Sequence, residues 1–290
     1  MNSVLIPIIG IVAFAILAPI LGCLLAGLDR IISAKMQGRV GPPLLQPYYD
    51  VRKLIEKDNV SVNSTEGIYI ASALVFTIIA GGIFFSGGNF LLVVFLITLS
   101  ALMFIVAAYS TRSPYAELGA HREIVQVMAY EPMVLFLCIG FFLATGSFNV
   151  KAVFTMNQPI LLATWGFFLG LVFVLTIKLR KSPFDLSYSH HAHQELVKGI
   201  TTEMSGKTLA QVEIMHWCEN ILFLGWVGVF FVTANPISII AAVVVCIILY
   251  LFEIWIDNNF ARVKWQFMLK SAWAVALVAG VINTIVLMVL

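Results

Sequence analysis

The side chains with acid–base chemistry are concentrated between residues 178 and 220, a polar stretch between two apolar segments. This stretch contains four of the five histidines and five of the fifteen carboxylates, namely His190, His191, His193, His216, Asp185, Glu195, Glu203, Glu213 and Glu219. Imidazole and buried carboxyl groups bind and release protons near neutral pH. The composition of this stretch therefore indicates proton or ion transfer.

Three of these residues are predicted to lie inside a membrane helix, because the chain runs from about Leu209 into apolar sequence without a turn signal. Glu213, His216 and Glu219 are spaced i, i+3, i+6, which places them within an arc of about 120° on one side of a helix. An ionisable side chain in hydrocarbon costs a few kcal/mol or more, so it normally faces protein or a water-filled path. The spacing therefore predicts a helix that lines a polar cavity.

Glu131 is a further acid within an apolar segment, where it precedes Pro132. The segment Ile124–Thr145 predicts that Glu131 lies about two helical turns, on the order of 10 Å, from the nearer helix end. A functional role and a purely structural one, as a buried acid retained for assembly, are both compatible with this position.

Metal binding and redox chemistry by the chain itself are not expected. His190, His191 and His193 are clustered without a helical i, i+4 pair, which favours a polar loop over a metal site. The four cysteines, Cys23, Cys138, Cys218 and Cys246, are scattered singly through apolar segments and form no CxxC pair. They are predicted to be small buried hydrophobic residues.

The overall composition is that of a membrane protein. Of the 290 residues, 61% are hydrophobic and only 11% are charged, and the mean hydropathy is +0.99. We predict an all-α, polytopic fold in which residues 1–290 form one transmembrane domain. Its eight predicted spans are Val4–Leu28, Ile68–Phe85, Phe90–Tyr109, Ile124–Thr145, Ile160–Ile177, about Leu209 to near Ala234, Ile237–Trp255 and Phe267–Leu290.

The distribution of basic residues predicts the orientation. Every lysine and arginine except Lys151 falls on one side of the predicted topology, which the positive-inside rule assigns to the cytoplasm. The cytoplasmic loops are then residues 29–66, 110–123, 178–208 and 256–266. Nucleic-acid binding is not expected, because the basic residues alternate with acids and form no continuous patch.

Three stretches together resemble one family: the membrane subunit of respiratory complex I that shapes the quinone chamber, with its homologues in membrane-bound [NiFe] hydrogenases. They are GRVGPPLLQPYYDVRKLIEKD (Gly38–Asp58), YAELGAHREIVQVMAYEP (Tyr115–Pro132) and SPFDLSYSHHAHQELVKGITTEMSG (Ser182–Gly206). RVKWQFMLKSAW (Arg262–Trp273) is a weaker fourth match. The resemblance spans almost the whole chain, and it implies that the membrane is the plasma membrane of a prokaryote.

Two departures from complex I resemble the hydrogenase branch, and its Ech type in particular. The first motif passes directly from GRVGPP to LLQP, where complex I usually has a longer insert. The third reads HAHQELV where complex I typically reads EAENELV, so His191 and His193 occupy acidic positions.

The resemblance implies a coupling subunit of a ferredoxin-linked energy-converting hydrogenase, which links redox chemistry in its partners to H⁺ or Na⁺ movement. The implied partners are the NiFe large and small subunits, an iron–sulfur subunit, an antiporter-like membrane subunit and, through the complex, ferredoxin. The NiFe centre and [4Fe-4S] clusters would lie in those partners, and the isolated chain would catalyse nothing. The alternatives are the quinone-binding H-type subunit of NADH dehydrogenase, the membrane subunit of a related formate hydrogenlyase or membrane-bound hydrogenase, and a stand-alone transporter.

The resemblance also implies two groups of site residues. The ion path would comprise Glu131, Glu195, Glu203, Glu213 and Glu219, at family carboxylate positions, together with His216. A loop collar that faces the soluble partners would comprise Arg39, Asp50, Arg112, Asp185, His191 and His193.

Overall fold

The computed structural model describes residues 5–60, 63, 65–187 and 198–289. Within these residues the protein is helical, and its only β-contact is an isolated bridge between Asn89 and Asn149. The helices are α1 (Leu5–Met36), α2 (Gln46–Glu56), α3 (Thr65–Phe85), α4 (Phe90–Ser110), α5 (Pro114–Thr145), α6 (Trp165–Lys178), α7 (Gly206–Val229), α8 (Ile237–Asn259), α9 (Trp265–Val275) and α10 (Ile282–Val289). Residues 276–281 form a π-helical segment that makes α9 and α10 one continuous helix.

Each of the eight predicted spans corresponds to a helix, so the all-α, polytopic prediction is confirmed. Among the described residues, six helices are long and apolar enough to cross a membrane: α1, α3, α4, α5, α8 and the continuous helix Trp265–Val289. The other two spans are α7, which has 24 residues and carries the predicted acids, and α6, which has 14. At 1.5 Å per residue α6 is only about 21 Å long, short of the ~30 Å hydrocarbon core.

A side chain from the last helix stabilises the start of this short helix. Asn283 Oδ1 accepts hydrogen bonds from the backbone N–H groups of Gly166 (2.9 Å) and Phe167 (3.2 Å), and its Nδ2 donates to Ala163 O at 2.9 Å. The first N–H groups of a helix have no partner within the helix. Asn283 is fully buried, so it supplies in the protein interior the hydrogen bonds that water supplies elsewhere.

The polar connections contain more helix than predicted. Residues 114–123 were expected to be loop, but they form the first turns of α5, and α2 occupies part of the first connection. The local pattern is misleading there because α5 packs against a distant loop. At Gly119 a Cβ atom would lie 2.3 Å from Ile200 N, so only glycine permits this approach. The predicted depth of Glu131 is therefore wrong: it lies near the middle of α5, about 21 Å from the nearer end.

The described parts of the predicted cytoplasmic loops, residues 29–66, 110–123, 178–208 and 256–266, meet at one end of the helices. We call this end the charged face. Gln37 Nε2 donates to Asn258 Oδ1 (2.8 Å), and Ser205 Oγ donates to Val60 O (2.7 Å). At the opposite end, Lys151 N donates to Gly87 O (3.2 Å). The side-to-side alternation of the chain thus agrees with the predicted topology.

Candidate coupling site

Helix α7 carries the predicted polar wall. Glu213, His216 and Glu219 all lie within this helix. Glu219 is buried, whereas Glu213 and His216 are half-buried. His216 Nδ1 lies 3.3 Å from Glu219 Oε2. The three residues share one helix as predicted, and His216 and Glu219 are in direct contact. Of the three, Glu219 lines the polar cavity described below.

Arg180 connects this wall to α5. It follows α6 in a left-handed backbone conformation (φ 53°), and its guanidinium contacts both His216 Nε2 and Glu123 Oε1, the latter at 3.2 Å. An arginine side chain only donates hydrogen bonds. Arg180 Nη1 also lies 3.0 Å from His216 Nδ1, so the imidazole contacts both Arg180 and Glu219 whichever of its nitrogens carries the proton.

Glu123 is itself fixed by the loop that follows α6. The Ser187 hydroxyl contacts both Glu123 Oε2 and Gln126 Oε1, the latter at 2.6 Å. Gln126 Nε2 donates to Phe184 O at 2.6 Å. These hydrogen bonds attach the segment PFDLS (residues 183–187) to α5. A displacement of this segment therefore changes the surroundings of Glu123.

Lys178 completes the charged group. Its side chain lies over aromatic rings, with Nζ 3.6 Å from the Tyr130 centroid and 4.9 Å from that of Phe223, an arrangement that stabilises a desolvated ammonium. Glu219 and Glu123 also act on it electrostatically. We call Glu123, Lys178, Arg180, His216 and Glu219 the coupling cluster. Four of the five line a polar cavity with room for about one water molecule.

The family model described as NADH dehydrogenase matches residues 8–288. The chain belongs to the NADH dehydrogenase family.

Relatives within this family come from two kinds of complex. The chain is similar to hydrogenase-4 component C of Escherichia coli (strain K12), at 31% identity over 68% of this chain and 67% of that protein. It is also similar to formate hydrogenlyase subunit 4 of the same organism, at 26% over 94% and 95%. The H-type membrane protein of the NADH-quinone oxidoreductase of Paramagnetospirillum magneticum is 28% identical over 86% and 81%. The chain is therefore a membrane subunit of the complex I-like respiratory and hydrogenase class.

A solved structure supports the fold. The chain resembles a chain of the membrane-bound sulfane sulfur reductase, an archaeal respiratory membrane complex, with a TM-score of 0.86 at 23% identity. The match covers 97% of this chain and 99% of that chain. The NADH dehydrogenase family fold thus extends over nearly the full length.

The remaining predicted path residues are distributed over two regions. Glu131 is half-buried on α5, beside Tyr130, and its charge acts on Lys178. Glu203 is half-buried near the start of α7 and acts on Glu66, a fully buried acid in the first turn of α3. Glu195 lies outside the described residues. His216 and Glu219 thus belong to the coupling cluster, and Glu131 acts on its Lys178. Glu203 instead acts on Glu66, an acid outside this cluster.

The collar residues occupy separate positions on the charged face. Arg39 and Arg112 are exposed. Asp50 pairs with Arg30 at 2.5 Å, and Asp185 pairs with Arg262 at 2.7 Å. His191 and His193 lie outside the described residues. Among the residues that the structure describes, no group of three or more His, Cys, Asp or Glu side chains is arranged to hold a metal.

The two collar carboxylates titrate differently. Burial opposes ionisation of Asp50, but hydrogen bonds from Arg30 and Gln46 outweigh it and hold its pKa below the usual value. Burial raises the pKa of Asp185 although Arg262 opposes the shift. Protonation at mildly acidic pH therefore affects Asp185 before Asp50.

Several residues of the site were not identified from the sequence. Glu123, Lys178 and Arg180 had been placed in polar connections, and Glu66 at the edge of one. The one signal for Glu123 was its place within the YAELGAHREIVQ motif. Their importance depends on neighbours from other helices, which a local pattern does not contain.

Proposed function

We propose that this chain is the coupling membrane subunit of a ferredoxin-linked energy-converting hydrogenase, and that it links redox chemistry in soluble partners to H⁺ or Na⁺ movement. The similarity to hydrogenase-4 component C and formate hydrogenlyase subunit 4 supports the hydrogenase class. The histidines at positions 191 and 193, where complex I has acids, support the same branch.

The observation that carries the proposal is the connection from Arg180 through His216 to Glu219. It starts in a loop of the charged face and ends at a buried carboxyl within α7. Two unit charges about 4 Å apart interact by about 4 kcal/mol at an effective dielectric of about 20. A displacement of Arg180 by a partner is therefore sufficient to change the protonation of the cluster, and this change is the coupling step.

The proposed hydrogenase function also implies which subunits this chain contacts. The charged face is cytoplasmic, in the plasma membrane, and its collar contacts the NiFe large and small subunits and an iron–sulfur subunit. Those partners carry the NiFe centre and the [4Fe-4S] clusters, and ferredoxin exchanges electrons with them. An antiporter-like membrane subunit packs beside this chain and moves the ion.

The composition and activity of the purified complex test the class. We expect mass spectrometry to find the hydrogenase subunits, elemental analysis to find nickel, and reduced ferredoxin to drive hydrogen evolution without quinone reduction. Quinone reduction by a nickel-free complex would instead establish the second candidate, the quinone-binding subunit of an NADH dehydrogenase, which the similarity to the NADH-quinone oxidoreductase of Paramagnetospirillum magneticum favours. Ion transport by the purified chain alone would overturn both and establish a transporter.

Glu219→Gln tests the mechanism, because it retains the shape of the side chain and removes its titratable charge. In vesicles that contain the complex, we expect hydrogen evolution to continue while ion uptake falls at least tenfold. Glu56→Gln is the matched control, since Glu56 is exposed on α2 and pairs only with Arg52 among the described residues. Undiminished ion uptake by an assembled Glu219→Gln complex would contradict the proposed path.

A further inference from the structure

A second buried ion cluster lies between α1 and α8, next to the C-terminal end of α6. Lys181 Nζ contacts Asp29 Oδ2 and lies 3.4 Å from Asp257 Oδ2. The backbone N–H of Ser182 donates to Asp257 Oδ1 at 2.8 Å. We call Asp29, Lys181 and Asp257 the lysine cluster. It shares no residue with the coupling cluster.

The lysine cluster already has more negative than positive charge. Burial disfavours the ammonium form of Lys181, but Asp29 and Asp257 outweigh burial and raise the pKa of Lys181 above its usual value. Lys181 is therefore a cation shared by two carboxylates. A further carboxylate anion in this place would have no cation of its own.

Such a carboxyl group is present, on Glu253. Its side chain is 1% exposed, and no described residue donates a hydrogen bond to either of its oxygens. The neighbouring Thr176 hydroxyl lies close enough to interact with this carboxyl group, but it donates to Phe173 O at 3.1 Å. Lys181 and Asp257 both act on Glu253 electrostatically. The group is thus close to charges yet lacks the hydrogen bonds that a buried anion requires.

Glu253 lies one helical turn from a partly exposed residue of α8. Asp257 is four residues further along the helix, one turn closer to the charged face, and its side chain is 32% exposed. Tyr250 lies one turn deeper, with its hydroxyl 3.4 Å from Leu25 O. Glu253 thus occupies the buried side of a short stripe of polar residues that reaches the surface at Asp257.

We propose that Glu253 is a proton-binding site whose occupancy is controlled by how Lys181 is shared between Asp29 and Asp257. With Lys181 held by the two aspartates, Glu253 retains its proton. When Lys181 moves towards Glu253, the proton leaves by way of Asp257 to water at the charged face. This site is additional to the path through Glu219 and does not depend on which redox partner the complex has.

Infrared difference spectroscopy of the intact complex, titrated with alkali, tests the proposal. We expect a protonated-carboxyl C=O band that Glu253→Gln removes and Glu117→Gln leaves unchanged, because Glu117 is exposed. Glu253→Gln resembles the protonated acid, so the complex is expected to assemble normally. A spectrum unchanged by Glu253→Gln would show that Glu253 is ionised and would overturn the proposal.

Asp29→Asn tests the control by Lys181 with a readout that a structural role would not change, because Asp29 holds Lys181, whereas Asp257 also acts on Glu253 directly. Removal of the Asp29 carboxylate leaves Lys181 more available to Glu253, so the band should bleach at a lower pH than in the unaltered complex. A band that bleaches at an unchanged pH would disprove this control. A band that appears only when sodium is removed would identify Glu253 as a sodium ligand instead, which contradicts the proton assignment. None of these readouts requires electron transfer, so they are independent of the proposed hydrogenase activity.

Discussion

Arg180 and Lys181 are adjacent in the chain, yet their side chains enter two different ion clusters. Arg180 contacts Glu123 of α5 and His216 of α7, whereas Lys181 lies between Asp29 and Asp257. The directions of the two side chains diverge where the backbone of Arg180 adopts a left-handed conformation (φ 53°). A small movement of these two residues therefore changes the electrostatics of both clusters together.

Arg180→Met is expected to destabilise the complex by about 3–5 kcal/mol, because it leaves Glu123 as a buried charge without its guanidinium partner. The thermal unfolding midpoint of the purified complex measures this loss. Arg52→Met is the matched control, since its i, i+4 pair with Glu56 is exposed to solvent and contributes little to stability. Equal effects of the two substitutions would contradict the buried role of Arg180.

Glu131→Gln and Glu213→Gln test the other path residues on the described helices. Each removes a titratable charge and retains much of the hydrogen bonding, so we expect normal assembly with slowed ion movement per electron transferred. The measurement is the ratio of ion uptake to substrate turnover in vesicles. If both variants assemble and keep the full ratio, these two acids serve assembly alone.

Asn283→Ala is expected to destabilise the protein by about 2 kcal/mol or more, because it leaves two N–H groups and one C=O group at the start of α6 without partners. Resistance of the detergent-solubilised complex to thermal unfolding provides the readout. Asn259→Ala provides the comparison, since Asn259 is exposed and bonds only to Trp255 O of its own helix among the described groups. A change no larger than that of Asn259→Ala would show that water replaces the lost hydrogen bonds.

Asp185 and Asp50 are expected to contribute opposite pH dependences. Since the folded-state pKa of Asp185 is raised, the native protein binds this proton more tightly, and stability falls as pH rises from about 4 to the raised value. Asp185→Asn should reduce that fall. The pKa of Asp50 is lowered, so its contribution is lost as pH falls through the lowered value, and Asp50→Asn should flatten the acidic limb. Unfolding midpoints measured across this pH range would contradict the assignment if the two variants changed the profile in the same direction.

Local sequence was sufficient to predict the apolar helices and the common helix of Glu213, His216 and Glu219. Hydrophobic length and the 3.6-residue period are local properties, so they do not depend on how the helices pack. The predicted burial of the cysteines is confirmed for Cys23, Cys138 and Cys218, whereas Cys246 is only half-buried.

The pairing of the charges depends on contacts between helices that are distant in the chain. Lys181 meets Asp29 and Asp257 across 152 and 76 residues, and Arg180 meets Glu123 across 57. In the sequence these are polar residues at the ends of apolar segments, a pattern that surface loops share. The pairings follow from the packing of α1, α5, α7 and α8 around the end of α6, because a buried charge is tolerated only where another helix brings it a partner.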